Sequence, residues 1–219
     1  MLRPMSVVSI PFPPAPARRG RPRKTAEQRD EGNRRPELLR AAARLFRSKG
    51  FDATSTRDIA AAAEMQSGSP FYYFESKSAL LHAVMKDGMA LAALGQQRAL
   101  RSLGSRASAQ DKLRVLIRQH FEVLLGPDSD FIPVMLYEWR SLTPEQRQDI
   151  TAQKDAYEAA WMPALRALHR AGRIKVKPEV ARLLIFGALQ WSVQWYSGDG
   201  PLTLDELTRQ ALLLFTGEA

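Results

Sequence analysis

The sequence predicts an all-α protein, and three observations lead to this prediction. From Pro36 onward, apolar residues recur at spacings of three and four, which is the period of an amphipathic helix. No segment alternates apolar and polar residues as a half-buried strand would. Glycine, proline and capping residues divide the chain into about nine segments of helical length. We expect three short helices followed by six longer ones.

The three short helices are expected within residues 33–78. Leu38, Leu39, Ala42, Leu45 and Phe46 form the apolar stripe of the first helix. Gly50 should end that helix as a left-handed residue. The spacing Ser55-x-x-Asp58 is that of a capping box and should begin the second helix. The third is expected over residues 67–74, with Ser67 as its cap, because proline at position 70 is tolerated only in a first turn.

The six longer helices have start or stop signals of their own. We expect a fourth helix from Ala79 to about Leu103, a fifth that begins at Ser108-x-x-Asp111 and stops at Gly126-Pro127, and a sixth from Asp130 through Trp139. The seventh should begin at Thr143-Pro144-Glu145, bend at Pro163 and end at Gly172. The eighth should begin at Lys177-Pro178, and Thr203-x-x-Glu206 should cap the ninth.

Positive charge is concentrated at the amino end. Residues 1–77 hold 15 of the 32 Lys and Arg residues but only 8 of the 23 Asp and Glu residues, so most of the formal net charge of +9 lies there. This asymmetry favours a nucleic-acid-binding module joined to a nearly neutral one. Composition alone leaves an anionic membrane surface open as the partner.

Composition also excludes several classes of protein. The absence of cysteine excludes a disulfide scaffold, a thiolate nucleophile and a zinc-thiolate site. The three histidines lack partners at metal-ligand spacing, and no nucleotide fingerprint or catalytic set occurs, so we expect no cofactor, no metal and no enzyme activity. No apolar stretch approaches the roughly 18 residues that a membrane span needs. We therefore expect a cytoplasmic protein without a membrane partner.

Residues 1–32 are expected to form an extended basic arm. Six of the first 24 residues are proline, and residues 18–24 contain five cations. The sequence Arg19-Gly20-Arg21-Pro22 resembles an AT-hook, in which arginines lie in a narrow minor groove. A basic tail that neutralises phosphates without reading bases is the alternative. Deleting the arm should flatten the salt dependence of DNA binding, and a changed sequence preference would favour the AT-hook.

The residues from Leu38 to Leu80 resemble a known family. The matching stretches are LLRAAARLF (38–46), GF (50–51), TSTRDIA (54–60) and GSPFYYF (68–74), followed by Ser76, Lys77, Ala79 and Leu80. Together they closely resemble the amino-terminal domain of the TetR family of transcriptional regulators. The resemblance implies a three-helix helix-turn-helix DNA-binding domain at 33–78 and a helical ligand-binding and dimerisation domain at 79–219. It also implies a homodimeric transcriptional repressor that binds double-stranded DNA and that a small-molecule inducer releases from it.

The resemblance places DNA contacts on specific residues. Thr54 and Ser55 would hold a phosphate at the start of the second helix. The recognition helix would read base edges through Gln66, Ser67, Gly68 and Ser69. Tyr72 and Tyr73 would reach phosphates or thymine methyls, with local packing as the alternative, and Lys77 would meet the DNA backbone as a point charge. Ile59, Ala60 and Phe74 would be core.

Three residues depart from the family pattern. Glu64 stands in the turn where glycine is usual, and its carboxylate should point away from DNA phosphates. Phe71 stands where tyrosine is frequent, so this chain lacks the hydroxyl that would contact a phosphate there. Pro70 occupies a position usually held by a larger aliphatic residue.

Two apolar stripes near the carboxyl end predict a dimer interface. Val180, Leu184, Gly187, Trp191 and Trp195 share one face of the eighth helix, and Leu204, Leu207, Ala211 and Leu214 share one face of the ninth. Two such helices per subunit would form an isologous four-helix interface. We assign Leu184, Trp191, Trp195, Leu207, Ala211 and Leu214 to it. The alternative is that the stripes pack within their own subunit.

The fifth to seventh helices carry an aromatic and methionine-rich set that suits a ligand cavity, although it suits a plain core equally well. The candidate ligand contacts are Phe121, Met135, Trp139, Arg140, Tyr157 and Trp161. Residues 137–145 and 191–200 are similar to a TetR subgroup that responds to acyl-CoA thioesters and controls fatty-acid or sterol breakdown. The competing functions are a ligand-independent architectural DNA-binding protein and a helical carrier.

Overall fold

The computed structural model describes residues 34–65, 70–126 and 129–218. Within these ranges every regular element is helical, which confirms the predicted all-α class. The ten α-helices are α1 (Arg35–Lys49), α2 (Thr56–Ala62), α3 (Pro70–Tyr73), α4 (Lys77–Ser102), α5 (Ala109–Leu125), α6 (Phe131–Tyr137), α7 (Pro144–Ala159), α8 (Met162–Arg170), α9 (Pro178–Trp191) and α10 (Leu204–Thr216). Short 3-10 turns follow α6 at Trp139–Ser141 and α9 at Ser192–Gln194.

The ends of α1 and α2 follow the predicted local chemistry. Gly50 ends α1 with a φ of 81°, a backbone conformation that glycine adopts at little cost. Ser55 Oγ accepts a hydrogen bond from Asp58 N at 3.1 Å, and Asp58 Oδ2 accepts one from Ser55 N at 3.0 Å. This reciprocal pair is the predicted capping box.

Helix α4 connects the first three helices to the rest of the chain. It begins two residues earlier than predicted, because Ser76 Oγ accepts the hydrogen bond of Ala79 N at 3.0 Å and so caps it. Over its 26 residues α4 packs against α1, α5, α6 and α7. A shift of α4 would therefore be felt in both parts of the fold.

The predicted sixth helix is shorter than expected, and its predicted cap is wrong. Asp130 makes no side-chain capping bond at the start of α6. Its carboxylate instead pairs with Arg47 Nη1 on α1 at 3.0 Å. The α-helix ends at Tyr137, and Trp139 belongs to the 3-10 turn that follows.

The single kinked helix predicted from Thr143 to Gly172 is two helices, α7 and α8. Pro163 is the second residue of α8, where its missing N–H is tolerated, so the chain breaks before it rather than bending at it. Trp161 lies in the break with its indole fully buried. Its Nε1 donates to Gln96 Oε1 on α4 at 2.8 Å. The described residues therefore contain one α-helix more than the nine predicted.

The last two helices begin where the sequence indicated. Pro178 is the first residue of α9, and Thr203 Oγ1 accepts a hydrogen bond from Glu206 N at 3.2 Å to cap α10. Helix α9 packs on α8, and α10 packs on α5. Among the described helices, none is both long and apolar enough to cross a membrane.

Candidate nucleic-acid interface and interior cavities

The first three helices form a small module at the amino end of the described chain, and their buried residues belong to the same apolar core as the later helices. Ile59 and Ala60 of α2 are buried, as predicted, and pack against α1. Phe74 is half-buried, and the guanidinium of Arg35 lies 5.4 Å from the centre of its ring. Two short helices held on α1 in this way are the frame that a helix-turn-helix uses to present its second helix.

Thr54 does not lie where a phosphate contact was predicted. Its side chain is buried, and Oγ1 donates to the Gly50 carbonyl at 2.7 Å. The direct phosphate contact assigned to this hydroxyl is therefore wrong for this structure, because the hydroxyl fixes the turn between α1 and α2. Ser55, the next residue, is exposed at the start of α2.

Lys77 does not stand free as a point charge either. Its Nζ donates to the Phe51 carbonyl at 2.8 Å and to the Thr54 carbonyl at 3.0 Å, and it lies 4.3 Å from the centre of the Phe51 ring. The ammonium group therefore ties the first turn of α4 to the α1–α2 turn. This internal role replaces the predicted free cation at the DNA backbone.

The two tyrosines of α3 have different environments. The Tyr72 side chain is 83% exposed, whereas Tyr73 is half-buried and packs against the core. Their rings meet edge to face, with centroids 5.3 Å apart. The local-packing alternative therefore holds for Tyr73, and Tyr72 is the tyrosine that is free to meet DNA.

Glu64 occupies a strained backbone position. Its φ is 54°, in the left-handed region that side-chain-bearing residues rarely adopt. This conformation is the physical reason that glycine suits the turn between α2 and α3.

Several predicted DNA contacts fall outside the described residues. These are Arg19 and Arg21 in the basic arm and Gln66, Ser67, Gly68 and Ser69 before α3. Their roles remain predictions, and so does the exact start of the third helix before Pro70.

Two contacts that sequence reasoning missed join the α1–α2 region to α6. Glu138 Oε1, at the end of α6, accepts a hydrogen bond from the Phe51 backbone N at 2.9 Å. At the other end of α6, Asp130 pairs with Arg47. The partners lie more than 80 positions apart in the sequence. No local pattern could have indicated them.

The six predicted ligand contacts do not all line one cavity. Met135 and Tyr157 line a small cavity between α4, α5, α6, α7 and α9. Phe121 and Trp161 are buried in the core, and Trp139 is half-buried in the 3-10 turn. Arg140 is exposed in that turn and does not line this small cavity, so the structure does not bring it together with Met135 and Tyr157 there.

His120 is a buried polar residue in this cavity that sequence reasoning left unassigned. Its Nδ1 lies 3.0 Å from Tyr157 Oη, and its Nε2 is buried without a hydrogen-bond partner. Burial lowers the pKa of the His120 imidazole to about 3, because the charged form loses its hydration, and raises the pKa of the Tyr157 hydroxyl. His120 is therefore neutral at physiological pH.

A larger open groove of about 740 Å³ lies beside this cavity. Its walls come from α1, α4, α5 and the start of α6, so it touches the helix-turn-helix module directly. Ala92, Val123 and Ile132 line both the groove and the small cavity, which places the two side by side.

The predicted dimer residues divide into two groups. Leu184, Trp191, Trp195 and Leu214 are exposed, with Trp191 66% and Leu214 77% accessible. Leu207 and Ala211 are buried, because α10 turns that face onto α5 of its own subunit. The interface assignment is therefore wrong for Leu207 and Ala211, to which the own-subunit alternative applies.

Together, the helix-turn-helix module and the helical domain with interior cavities have the architecture of a DNA-binding transcriptional regulator. Residues 38–84 match the family described as bacterial regulatory proteins, tetR family. Residues 106–217 match the family described as tetracyclin repressor-like, C-terminal domain. The chain belongs to the TetR family of transcriptional regulators, as the resemblance of its amino-terminal residues predicted.

Individual relatives and solved structures are similar to this chain over most of its length. The chain is 28% identical over 187 residues to the HTH-type transcriptional repressor KstR2 of Rhodococcus jostii (strain RHA1), covering 83% of this chain and 89% of the relative. AibR, solved in complex with isovaleryl coenzyme A and operator DNA, is 27% identical, with a TM-score of 0.74 over 85% of this chain and 100% of AibR. The superantigen PfiT is 36% identical, with a TM-score of 0.70 over 83% and 95%. The AibR complex agrees with the predicted acyl-CoA-responsive subgroup.

Proposed function

We propose that the protein is a homodimeric repressor that a small apolar or acyl-CoA-type inducer releases from a palindromic operator in the cytoplasm. The observation that carries this proposal is the bond between Glu138 and the Phe51 amide. Helix α6 lines both the groove and the small cavity, and Glu138 at its end holds the turn before α2. A ligand that moves α6 would therefore change the pose of the DNA-reading module.

The proposed DNA surface consists of the amino end of α2 and the region around α3. Ser55 is exposed at the start of α2, and the N–H groups of this first turn that the capping box does not use would favour a phosphate. Tyr72 projects into solvent from α3. The residues from Gln66 to Ser69 precede α3 and would supply the base contacts. In a two-fold dimer, two such surfaces about 34–36 Å apart would read successive major grooves.

The proposed dimer forms through the exposed face of α9 and the end of α10. Leu184 and Trp191 lie on this face, and Gly187 between them is exposed with open space around its Cα. Leu214 of α10 is exposed as well. A patch of several large exposed apolar side chains is unusual on a monomeric protein, and a central glycine allows two helices to approach closely.

The proposed ligand lies in the groove beside α1 and reaches the small cavity that shares Ala92, Val123 and Ile132 with it. Met135 and Tyr157 would contact it directly, and Phe121 and Trp161 would form the wall behind them. The groove of about 740 Å³ has the volume for an acyl chain, whereas the small cavity of about 20 Å³ would receive only a small group at its inner end. KstR2 is named a transcriptional repressor and AibR has been solved with an acyl-CoA and operator DNA, which supports the same arrangement here.

The test begins with genomic fragments that the purified protein retains, which identify the operator. The operator and a random duplex are then titrated at one salt concentration, with and without palmitoyl-CoA. We expect preference for the operator and release by palmitoyl-CoA. Linkage requires that the operator weaken palmitoyl-CoA binding by the same factor.

Two outcomes would contradict the proposal. Equal affinity for operator and random duplex would indicate the architectural alternative. Binding of palmitoyl-CoA that DNA leaves unchanged would indicate the carrier.

A further inference from the structure

The groove beside α1 has a charged rim over an apolar floor. Leu39 and Ala43 of α1 face Leu91 of α4 and Phe131 and Ile132 of α6 across it. Arg40 and Arg44, one helical turn apart on α1, line the same groove and are exposed. The combination suits a molecule with an apolar part and a charged part.

The acidic residues of the groove are already neutralised by other cations. Asp87 pairs with Arg35 at 3.5 Å, and Asp130 pairs with Arg47 at 3.0 Å. Glu122 pairs with Arg118. These three arginines do not line the groove, so each carboxylate is paired from outside it.

Arg40 and Arg44 have no such partner. Within the described residues, neither guanidinium forms an ion pair or a hydrogen bond. Two like charges at i and i+4 on a helix repel each other, and one anion placed between them would remove this repulsion. Guanidinium groups also hold phosphate and carboxylate oxygens with paired hydrogen bonds.

A second observation that points to a ligand comes from the small cavity beside the groove. His120 lines the small cavity that shares Ala92, Val123 and Ile132 with the groove. Its buried Nε2 has no hydrogen-bond partner, which is costly unless a polar atom of another molecule provides one. A carbonyl is the natural partner when this nitrogen carries the proton.

We infer that the groove binds an amphipathic anion, whose charged group lies between Arg40 and Arg44, whose apolar part extends over Phe131 and Ile132, and whose carbonyl accepts a hydrogen bond from His120 Nε2. This inference rests on the proposed function and names the contacts of its inducer. The ligand then touches α1 and α6 at once. Occupancy would therefore act on the helix-turn-helix module through α1 itself, as well as through Glu138.

The experiment measures binding of palmitoyl-CoA and of palmitate to the full-length protein. The variant R40A/R44A is compared with R98A/R106A, which removes two exposed arginines that lie outside the groove. Removing two charged hydrogen-bonding groups should weaken binding at least about tenfold, whereas the control should stay close to the wild type. Wild-type affinity should fall as salt rises, and R40A/R44A should lose most of this dependence.

The two probes identify the source of the anion. If only palmitoyl-CoA is weakened by R40A/R44A, the arginines hold a phosphate of the carrier; if palmitate is weakened as well, they hold a carboxylate. Equal binding by R40A/R44A and R98A/R106A would overturn the inference. So would a selective loss of operator affinity in R40A/R44A with ligand binding unchanged, because it would assign these arginines to DNA.

His120 is tested separately with H120F and H120N. Both should weaken palmitoyl-CoA binding, and unchanged binding in a folded variant would overturn the inner contact. Failure of the proposed function looks different, because the wild type would then bind palmitoyl-CoA without releasing the operator. If palmitoyl-CoA releases the wild type from the operator, and R40A/R44A binds palmitoyl-CoA and leaves the operator equally well, the proposed ligand site is wrong and the proposed function stands.

Discussion

Glu138 accepts the backbone hydrogen bond of Phe51 at 2.9 Å, and this contact links the end of α6 to the turn that precedes α2. Lys77 holds the same turn by donating to the Phe51 and Thr54 carbonyls. The turn is therefore fixed by one anion from the helical domain and one cation from the start of α4. This pair of contacts sets the position of the DNA-reading module on the rest of the chain.

Replacing Glu138 with alanine should weaken this link. The variant leaves the Phe51 amide without its charged acceptor, so the free energy of unfolding should fall by about 2 kcal/mol in chemical denaturation. The ratio of operator affinities without and with palmitoyl-CoA should also shrink. Ser141→Ala is the control, since it removes only the 3.3 Å contact to Glu138 Oε2. A Glu138→Ala variant with an unchanged ratio would contradict the link.

Introducing a carboxylate at Gly187 should abolish the dimer. A Cβ added at Gly187 meets no other part of its own subunit within 4 Å, so Gly187→Glu should leave the monomer folded. In a helix-to-helix interface the same carboxylate would be buried without a partner. Analytical ultracentrifugation should show a monomer for this variant. Leu94→Glu, at an exposed leucine of α4, should remain dimeric, and a dimeric Gly187→Glu would place the interface elsewhere.

The pH dependence of stability should carry the signature of His120. Its pKa falls from 6.5 to about 3 on folding, so between these values the unfolded chain binds a proton that the native chain does not. Stability is therefore lost as the pH falls below about 6.5, by up to 1.4 kcal/mol per pH unit. Between pH 7 and pH 5 the wild type should lose about 2 kcal/mol more than His120→Phe. If the unfolding free energies of the wild type and His120→Phe, measured in urea, change with pH in parallel, the imidazole is not buried in its neutral form.

Replacing Glu64 with glycine should stabilise the protein. At a φ of 54°, glycine avoids the clash between Cβ and the carbonyl that a side chain brings. Glu64→Ala is the matched control, because it also removes the carboxylate but keeps Cβ. We expect Glu64→Gly to be more stable than Glu64→Ala by about 1 kcal/mol in thermal denaturation. Equal stability of the two variants would mean that the turn relaxes at no cost.

The two tyrosines of α3 should separate DNA binding from folding. Tyr72→Ala should reduce operator affinity about tenfold and should lower the unfolding free energy less than Tyr73→Ala does, because the Tyr72 ring is solvent-exposed and meets the Tyr73 ring edge to face. Tyr73→Ala should instead lower stability, since Tyr73 packs against the core. Fluorescence anisotropy with a labelled operator and denaturation of the same samples measure both quantities. Full operator affinity in Tyr72→Ala would remove this residue from the interface.

Local chemistry was predictable from the sequence, and side-chain destinations were not. Ser108 and Asp111 form the expected capping box at the start of α5, because both partners lie within one turn. Thr54 and Lys77 were placed at the DNA by resemblance, yet both bond to backbone carbonyls inside the module. The sequence shows that a side chain is able to bind a phosphate. It does not show that the same side chain already donates to a backbone carbonyl nearby.

Long-range arrangement escaped prediction for a related reason. Apolar periodicity identifies a stripe, but it cannot say which molecule covers the stripe, and so Leu207 and Ala211 were assigned to the wrong neighbour. The groove that contains Arg40 and Arg44 depends on how α1, α4 and α6 meet in space. No pattern in a single sequence indicates where these helices contact one another.

The unequal environments of the tryptophans make the protein its own optical reporter. Trp161 is fully enclosed and should emit at short wavelength in any folded sample, whereas Trp191 and Trp195 meet water in the isolated subunit. Pairing of subunits through α9 would dehydrate those two indoles and shift their emission to shorter wavelength. Dilution would separate the subunits and shift the emission back to longer wavelength. A concentration series of unlabelled protein would then yield the association constant without any probe.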